Sequence, residues 1–111
     1  MLLSDPMPSS SVHQLEILVS CAGRHYARCL LVPGEYNLGH GRRNEIMVDE
    51  PSVSSSHARL TFLEGGGVYI QDAGSANGTY VDDEFADEPL FVGAGARVQV
   101  GGCCVELRTV G

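Results

Sequence analysis

Three short stretches carry the residue types that could bind or activate something. GHGRR (39–43) sets His40, Arg42 and Arg43 close together around Gly41. PSVSSSHARL (51–60) brings Ser54, Ser55, Ser56 and His57 into one run. DAGSANGTYV (72–81) carries Asp72, Asn77 and Gly78. Cations together with hydroxyls suit an anion. A phosphate dianion has three acceptor oxygens and takes charge-assisted donors, each worth about 1.5–3 kcal/mol. Arginine donates in pairs from a planar fork, and hydroxyls with loop N–H groups complete such a cage. A different chemistry would use Ser54 as nucleophile and His57 as base. That chemistry also needs an orienting acid and an oxyanion hole. Asp72 fits the first role and nothing signals the second. Bracing a turn is the commoner use of such hydrogen bonding, so the expectation is no enzyme. His57 lacks partners at ligand spacing, so neither a metal nor another cofactor is expected.

The background to these stretches is acidic. The chain has 111 residues, Lys+Arg 7 against Asp+Glu 14, a net charge of -7 and no lysine. Such a balance lacks the broad basic field that nucleic acid or an anionic membrane requires, so neither is an expected partner. The plain reading of Arg42 and Arg43 is a solvated loop neutralised by Glu45, Asp49 and Glu50. The four cysteines, Cys21, Cys29, Cys103 and Cys104, form no CxxC pair. Adjacent Cys103 and Cys104 would face opposite ways on a strand. No disulfide framework is expected, a reducing compartment fits, and the expected location is cytoplasmic.

The elements that position the three stretches read as short strands. QLEILVS (14–20) alternates Leu15, Ile17 and Val19 on one face, and ARLTFLE (58–64) alternates Leu60 and Phe62. RHYARCLLV, EYNLG, IMV, VYIQDA, TYV, PLFVG, RVQVG and CVELRTV continue the series. Turn signals recur every eight to twelve residues, the mark of an antiparallel sandwich or barrel. No segment sustains an apolar period of 3.6, so essentially no helix is expected. VDDEFADEP (81–89) is expected to form an acidic hairpin. Residues 1–12 are expected to be a disordered leader, and 13–110 one domain that fits inside a longer chain. Gly39, Gly74 and Gly78 are expected to supply positive φ, and Asn77-Gly78 is by itself a hairpin-turn signal.

The three stretches, in this order and spacing, resemble the forkhead-associated (FHA) domain. Its pattern is roughly Gly-Arg, Ser-x-x-His and Asn-Gly-Thr. Here Gly39-His40, Ser54 to His57 and Asn77-Gly78-Thr79 hold the three places, and VGAGARVQVGG (92–102) is similar to the family's ending. The resemblance implies an all-β antiparallel sandwich of the FHA/SMAD type with about eleven strands. It implies a phosphothreonine-peptide-binding interaction module whose loops around 39–43, 52–57 and 74–78 form the site. Ser54 and Ser55 would donate hydroxyls to phosphate, His40 and Arg42 would supply positive charge, and Asn77 would hold the peptide main chain. Gly39, His57 and Gly78 would support the loops.

Two departures open a second reading. His40 stands where the family has arginine, and Ala76 stands where a hydroxyl is common. Each missing donor costs about 1–3 kcal/mol, enough to turn a micromolar site into a negligible one. The alternative is a degenerate FHA domain that makes phosphate-independent protein contacts in a larger assembly such as a secretion-system ring.

Overall fold

The computed structural model describes residues 14–93 and 95–110. The leader expected over 1–12 lies outside the described residues. Eleven strands form, and no described residue is helical. They are β1 (Gln14–Cys21), β2 (Arg24–Leu31), β3 (Gly34–Gly39), β4 (Ile46–Met47), β5 (Ala58–Phe62), β6 (Val68–Asp72), β7 (Thr79–Val81), β8 (Glu84–Phe85), β9 (Leu90–Phe91), β10 (Val98–Val100) and β11 (Cys103–Val110).

Two sheets result. One has the order β2-β1-β11-β10-β7-β8, the other β4-β3-β5-β6-β9. Period-2 alternation decides which side chains face between them. Leu15, Ile17, Val19, Val98, Val100, Cys103 and Val105 come from the first sheet, and Leu38, Ile46, Leu60, Phe62, Val68 and Ile70 from the second. All are buried, and each large aliphatic or aromatic side chain among them contributes about 1.5–3 kcal/mol of burial. Cys103 belongs to this core while Cys104 faces out. Burial and the neighbouring Cys21 thiol push the Cys103 thiol up to about 12.

Two tight hairpins follow from turn chemistry. Ala22 and Gly23 join β1 to β2 with φ of 53° and 79°. Asp82 and Asp83 join β7 to β8 with φ of 48° and 70°. Positive φ at both central positions matches the right-handed strand twist. The acidic segment thus forms its hairpin, with Tyr80 opposite Phe85 and Val81 opposite Glu84.

The pairing is not antiparallel throughout. β3 and β4 run parallel, with Leu38 opposite Ile46 and Gly39 opposite Met47. Parallel neighbours ordinarily need a connection of a dozen or more residues. Here residues 40–45 alone make the return, which limits β4 to two residues. This cramped return places His40, Arg42 and Arg43 on a folded-back loop. The strand expected from VYIQDA stops one residue early, at Asp72. Ala73 N–H leaves the ladder and donates to His57 O at 2.9 Å.

Candidate functional site

Three loops, 40–45, 48–57 and 73–78, meet through hydrogen bonds between residues far apart in sequence. The first is folded by Asn44. Its Nδ2 donates to Gly41 O at 2.8 Å and to Ser55 O at 2.7 Å. Glu45 ties the loop back to β3 by accepting from Asn37 N–H at 2.7 Å. That bond, with a further backbone N–H from Glu45 itself, holds the Glu45 carboxyl below its ordinary value. The first loop then docks on the second, His40 N–H on Ser54 O at 2.8 Å and Gly41 N–H on Ser55 O at 3.2 Å. This contact explains Gly39. A Cβ there would lie 2.3 Å from Ser55 O. Gly39 is absent from the positive-φ glycines, so its expected role is corrected: close approach of two backbones requires it, not a left-handed conformation. Gly74 and Gly78 do have positive φ, 85° and 89°.

His57 joins the second loop to the third. Its ring is fully buried. Nδ1 accepts from Ser54 N–H at 3.0 Å, so the proton sits on Nε2, which faces Gly78 O at 2.8 Å. The Ser54 hydroxyl oxygen accepts from Ala76 N–H at 2.9 Å. Its own proton remains available to another acceptor. Asn77 Nδ2 donates to Ser52 O at 2.9 Å. The third loop is folded on Asp72, which accepts from Ser75 Oγ (2.5 Å), Thr79 Oγ1 (2.8 Å), Gly74 N (2.9 Å) and Ser75 N (3.0 Å). Burial raises the Asp72 carboxyl, but these donors outweigh it and hold the group below its ordinary value.

The positive charges divide into two neighbouring hollows. Arg42, Arg43, Ser55 and Ser56 line one of about 310 Å³, together with Asn37, Gly41 and Asn44. His40, Arg42, Met47 and Asp49 line part of another, of about 440 Å³. Only Arg42 among the cations borders both. His40 Nε2 lies 2.8 Å from Asp49 Oδ1, an exposed pair at the loop margin. Neither Arg42 nor Arg43 forms an ion pair among the described residues. The neutralisation expected from Glu45, Asp49 and Glu50 does not occur. Glu45 holds Asn37, Asp49 takes His40, and Glu50 accepts from Ser52. Of the residues singled out from sequence, Arg42, Arg43, Ser55 and Ser56 therefore share the first hollow, and Arg42 shares the second with His40, which is paired with Asp49. Ser54 and Asn77 sit at the seam between the second and third loops.

An FHA-domain family model matches residues 36–101, which contain all three loops. The chain belongs to the FHA domain family. This FHA domain is 32% identical over 82 residues to the FHA domain-containing protein FhaB of Mycobacterium tuberculosis, covering 74% of this chain and 52% of that one. It is 37% identical over 75 residues to the glycogen accumulation regulator GarA of Mycolicibacterium smegmatis, covering 68% and 46%. The chain thus spans about half the length of the curated relatives it matches. Among solved structures, the FHA domain of CT664 from Chlamydia trachomatis superposes with a TM-score of 0.76 at 24% identity, over 85% of this chain and 95% of that one. The FhaA FHA domain, solved in complex with the intracellular domain of Rv3910, gives 0.68 at 21%, over 85% and 99%. A domain from a study of phosphothreonine-dependent FHA interactions gives 0.67 at 20%, over 84% and 95%.

Several residues that join the three loops were not singled out from sequence. Ser52 is a junction. Its N–H donates to Glu50 Oε1 at 2.8 Å, its hydroxyl contacts the same oxygen, and that hydroxyl accepts from Gly102 N–H at 2.9 Å. The Ser52 hydroxyl and N–H hold the Glu50 carboxyl below its ordinary value. Asn44 and Ser75 are the other two. Asp72 followed three residues later by Ser75 was a readable signal, because Asp side chains fold turns by capping nearby N–H groups. The junction at Ser52 had none, since beyond its local bond to Glu50 the partners that join the loops come from positions 77 and 102.

Proposed function

We propose that this FHA domain is a non-catalytic recognition module that binds a phosphothreonine peptide across its three joined loops. The observation that carries the reading is the pair Arg42 and Arg43, which have no carboxylate partner among the described residues and line a hollow with Ser55. Uncompensated guanidinium groups in an otherwise acidic chain supply what a dianion requires, and their planar forks can donate in pairs. Arg42 stands two residues beyond the family's usual arginine position and borders both hollows. Ser54 and Ser55 contribute hydroxyl protons. Asn77, steadied through Nδ2 by Ser52 O, offers its Oδ1 to a peptide N–H. His57 holds Ser54 and Gly78 in place from beneath. The similar domain from phosphothreonine-dependent FHA interactions supports this reading by analogy, and the FhaA complex supports recognition of a protein partner.

A second reading, phosphate-independent protein binding, is favoured by one observation. His40 already has a carboxylate partner in Asp49, and Ala76 brings no hydroxyl to the third loop. One titration separates the two: a phosphothreonine peptide library against its unphosphorylated twin, by anisotropy at fixed ionic strength. Selective binding of phosphorylated members, weakening with added salt, is the expected result. Equal binding of both twins, or none of either, overturns the phosphate reading.

A further inference from the structure

Beside the loop end, the fold gathers two thiols and a carboxylate to which the recognition reading assigns no ligand contact. Cys21 ends β1, Cys103 opens β11 and Glu50 lies just beyond β4. One ligand atom from each, two Sγ and a carboxylate oxygen, all lie within 4.8 Å of one another. We propose that Cys21, Cys103 and Glu50 form a binding site for a thiophilic divalent cation of the Zn²⁺ class.

The donor set selects the ion. Two thiolates favour a soft or borderline cation over Mg²⁺ or Ca²⁺, which prefer oxygen. Zinc takes sulfur at about 2.3 Å and carboxylate oxygen at about 2.0–2.2 Å, so two sulfurs on a tetrahedral ion sit about 3.8 Å apart. Sulfur and carboxylate oxygen sit about 3.6 Å apart on such an ion, so closing the cluster from within 4.8 Å asks for contraction of about 1.2 Å or less between ligand atoms. Three protein ligands leave one position for water or an incoming ligand. Cys103 is buried while Cys21 and Glu50 are half-buried, so an ion would enter from their side. Its charge would favour loss of both thiol protons.

The surroundings are shaped for this. Ser52 donates to one oxygen of Glu50 and so orients its carboxylate, as outer partners do for metal ligands. The turn that brings Cys103 into place is Gly101-Gly102. A Cβ on Gly101 would lie 2.3 Å from Ser52 O, and one on Gly102 would lie 3.1 Å from Ser52 Oγ and 3.7 Å from Cys21 Sγ. Cys21 Sγ presently donates to Gly102 O at 2.9 Å, a bond the ion would replace. Cys104 faces the opposite side of β11 and takes no part.

The test uses the whole chain, freed of metal and kept reduced with a phosphine, titrated with Co²⁺ and then Zn²⁺. The expected result is near-ultraviolet thiolate-to-Co²⁺ charge transfer that saturates at about one ion per chain and is displaced by Zn²⁺. Cys21→Ser and Cys103→Ser should each weaken binding at least about tenfold and lower the charge-transfer intensity, Glu50→Gln should weaken it similarly, and Cys104→Ser should leave it intact. If Cys103→Ser fails to fold by circular dichroism, the half-buried Cys21→Ser decides. Absence of charge transfer in the native chain, its persistence at full strength in Cys21→Ser, or its loss in Cys104→Ser overturns the site.

Discussion

Two pairs of arginines in this domain live in opposite circumstances. On the outer face of the first sheet, Arg28 and Arg108 flank a single carboxylate. Arg28 Nη2 lies 2.8 Å from Glu16 Oε2, and Arg108 Nη2 lies 2.9 Å from Glu16 Oε1. The arginine side chains are 73% and 70% exposed, whereas that of Glu16 is 11% exposed. At the loop end, Arg42 and Arg43 have no such partner among the described residues, although acidic residues follow them closely in sequence. The first pair serves the sheet by covering a carboxylate on an outward strand position. The second makes no ion pair that serves the described fold. On the reading proposed above, a charge that nearby carboxylates could have taken, and did not, is left for a ligand.

The largest effect tests whether the loop end depends on its buried histidine. His57→Ala strands Ser54 N–H and Gly78 O together, and should cost about 3–5 kcal/mol in urea denaturation. A loss below about 1 kcal/mol would mean that the loops do not hang on His57. Next comes the exchange of the arginine pairs. Arg42→Ala with Arg43→Ala should weaken phosphothreonine-peptide binding about 100-fold, with stability changed by no more than about 0.5 kcal/mol. Arg28→Ala with Arg108→Ala should do the reverse, lowering the melting temperature while leaving peptide affinity alone. Any crossing of these outcomes breaks the distinction between the pairs.

The pH dependence sharpens it further. Glu16 is held below its ordinary value of 4.5, first by the hydrogen bond from Arg28 and then, against its burial, by Arg108. A depressed carboxyl stabilises the fold fully above its unfolded value, and that contribution is lost as pH falls through the folded value. The stability advantage of the native chain over Glu16→Gln should therefore be constant near neutrality and shrink below about pH 4.5. Denaturant midpoints at a series of pH values check this, and an advantage that grows with acidity contradicts the sign. The smallest effect concerns His40. Asp49→Asn removes its carboxylate partner and should raise phosphopeptide affinity about 1.5- to 5-fold, the range of an exposed ion pair. A fall in affinity would show that Asp49 positions His40 for the ligand rather than competing with it.

Much of the framework was legible because its causes are local. Alternation in QLEILVS and ARLTF set the buried faces of β1 and β5, since the side-chain period of a strand allows only one apolar face. The hairpin at Asp82-Asp83 followed from turn-forming residues between short strands. The parallel β3–β4 pair was not legible, because parallel pairing through so short a return leaves no periodic signature. The partners of the acidic residues were not legible either. Sequence proximity put Glu45, Asp49 and Glu50 beside Arg42 and Arg43, but each carboxylate found a donor elsewhere.

By itself the sequence determined an all-β sandwich, the three loop motifs and their family, because strand period, turn residues and motif spacing are properties of neighbours along the chain. Tertiary structure alone decided which cation is ion-paired among the described residues and which is not. It also made Gly39 a contact point rather than a turn, and drew Cys21, Glu50 and Cys103 together. Those outcomes depend on the approach of segments far apart in sequence, and the closing of the two sheets sets those distances.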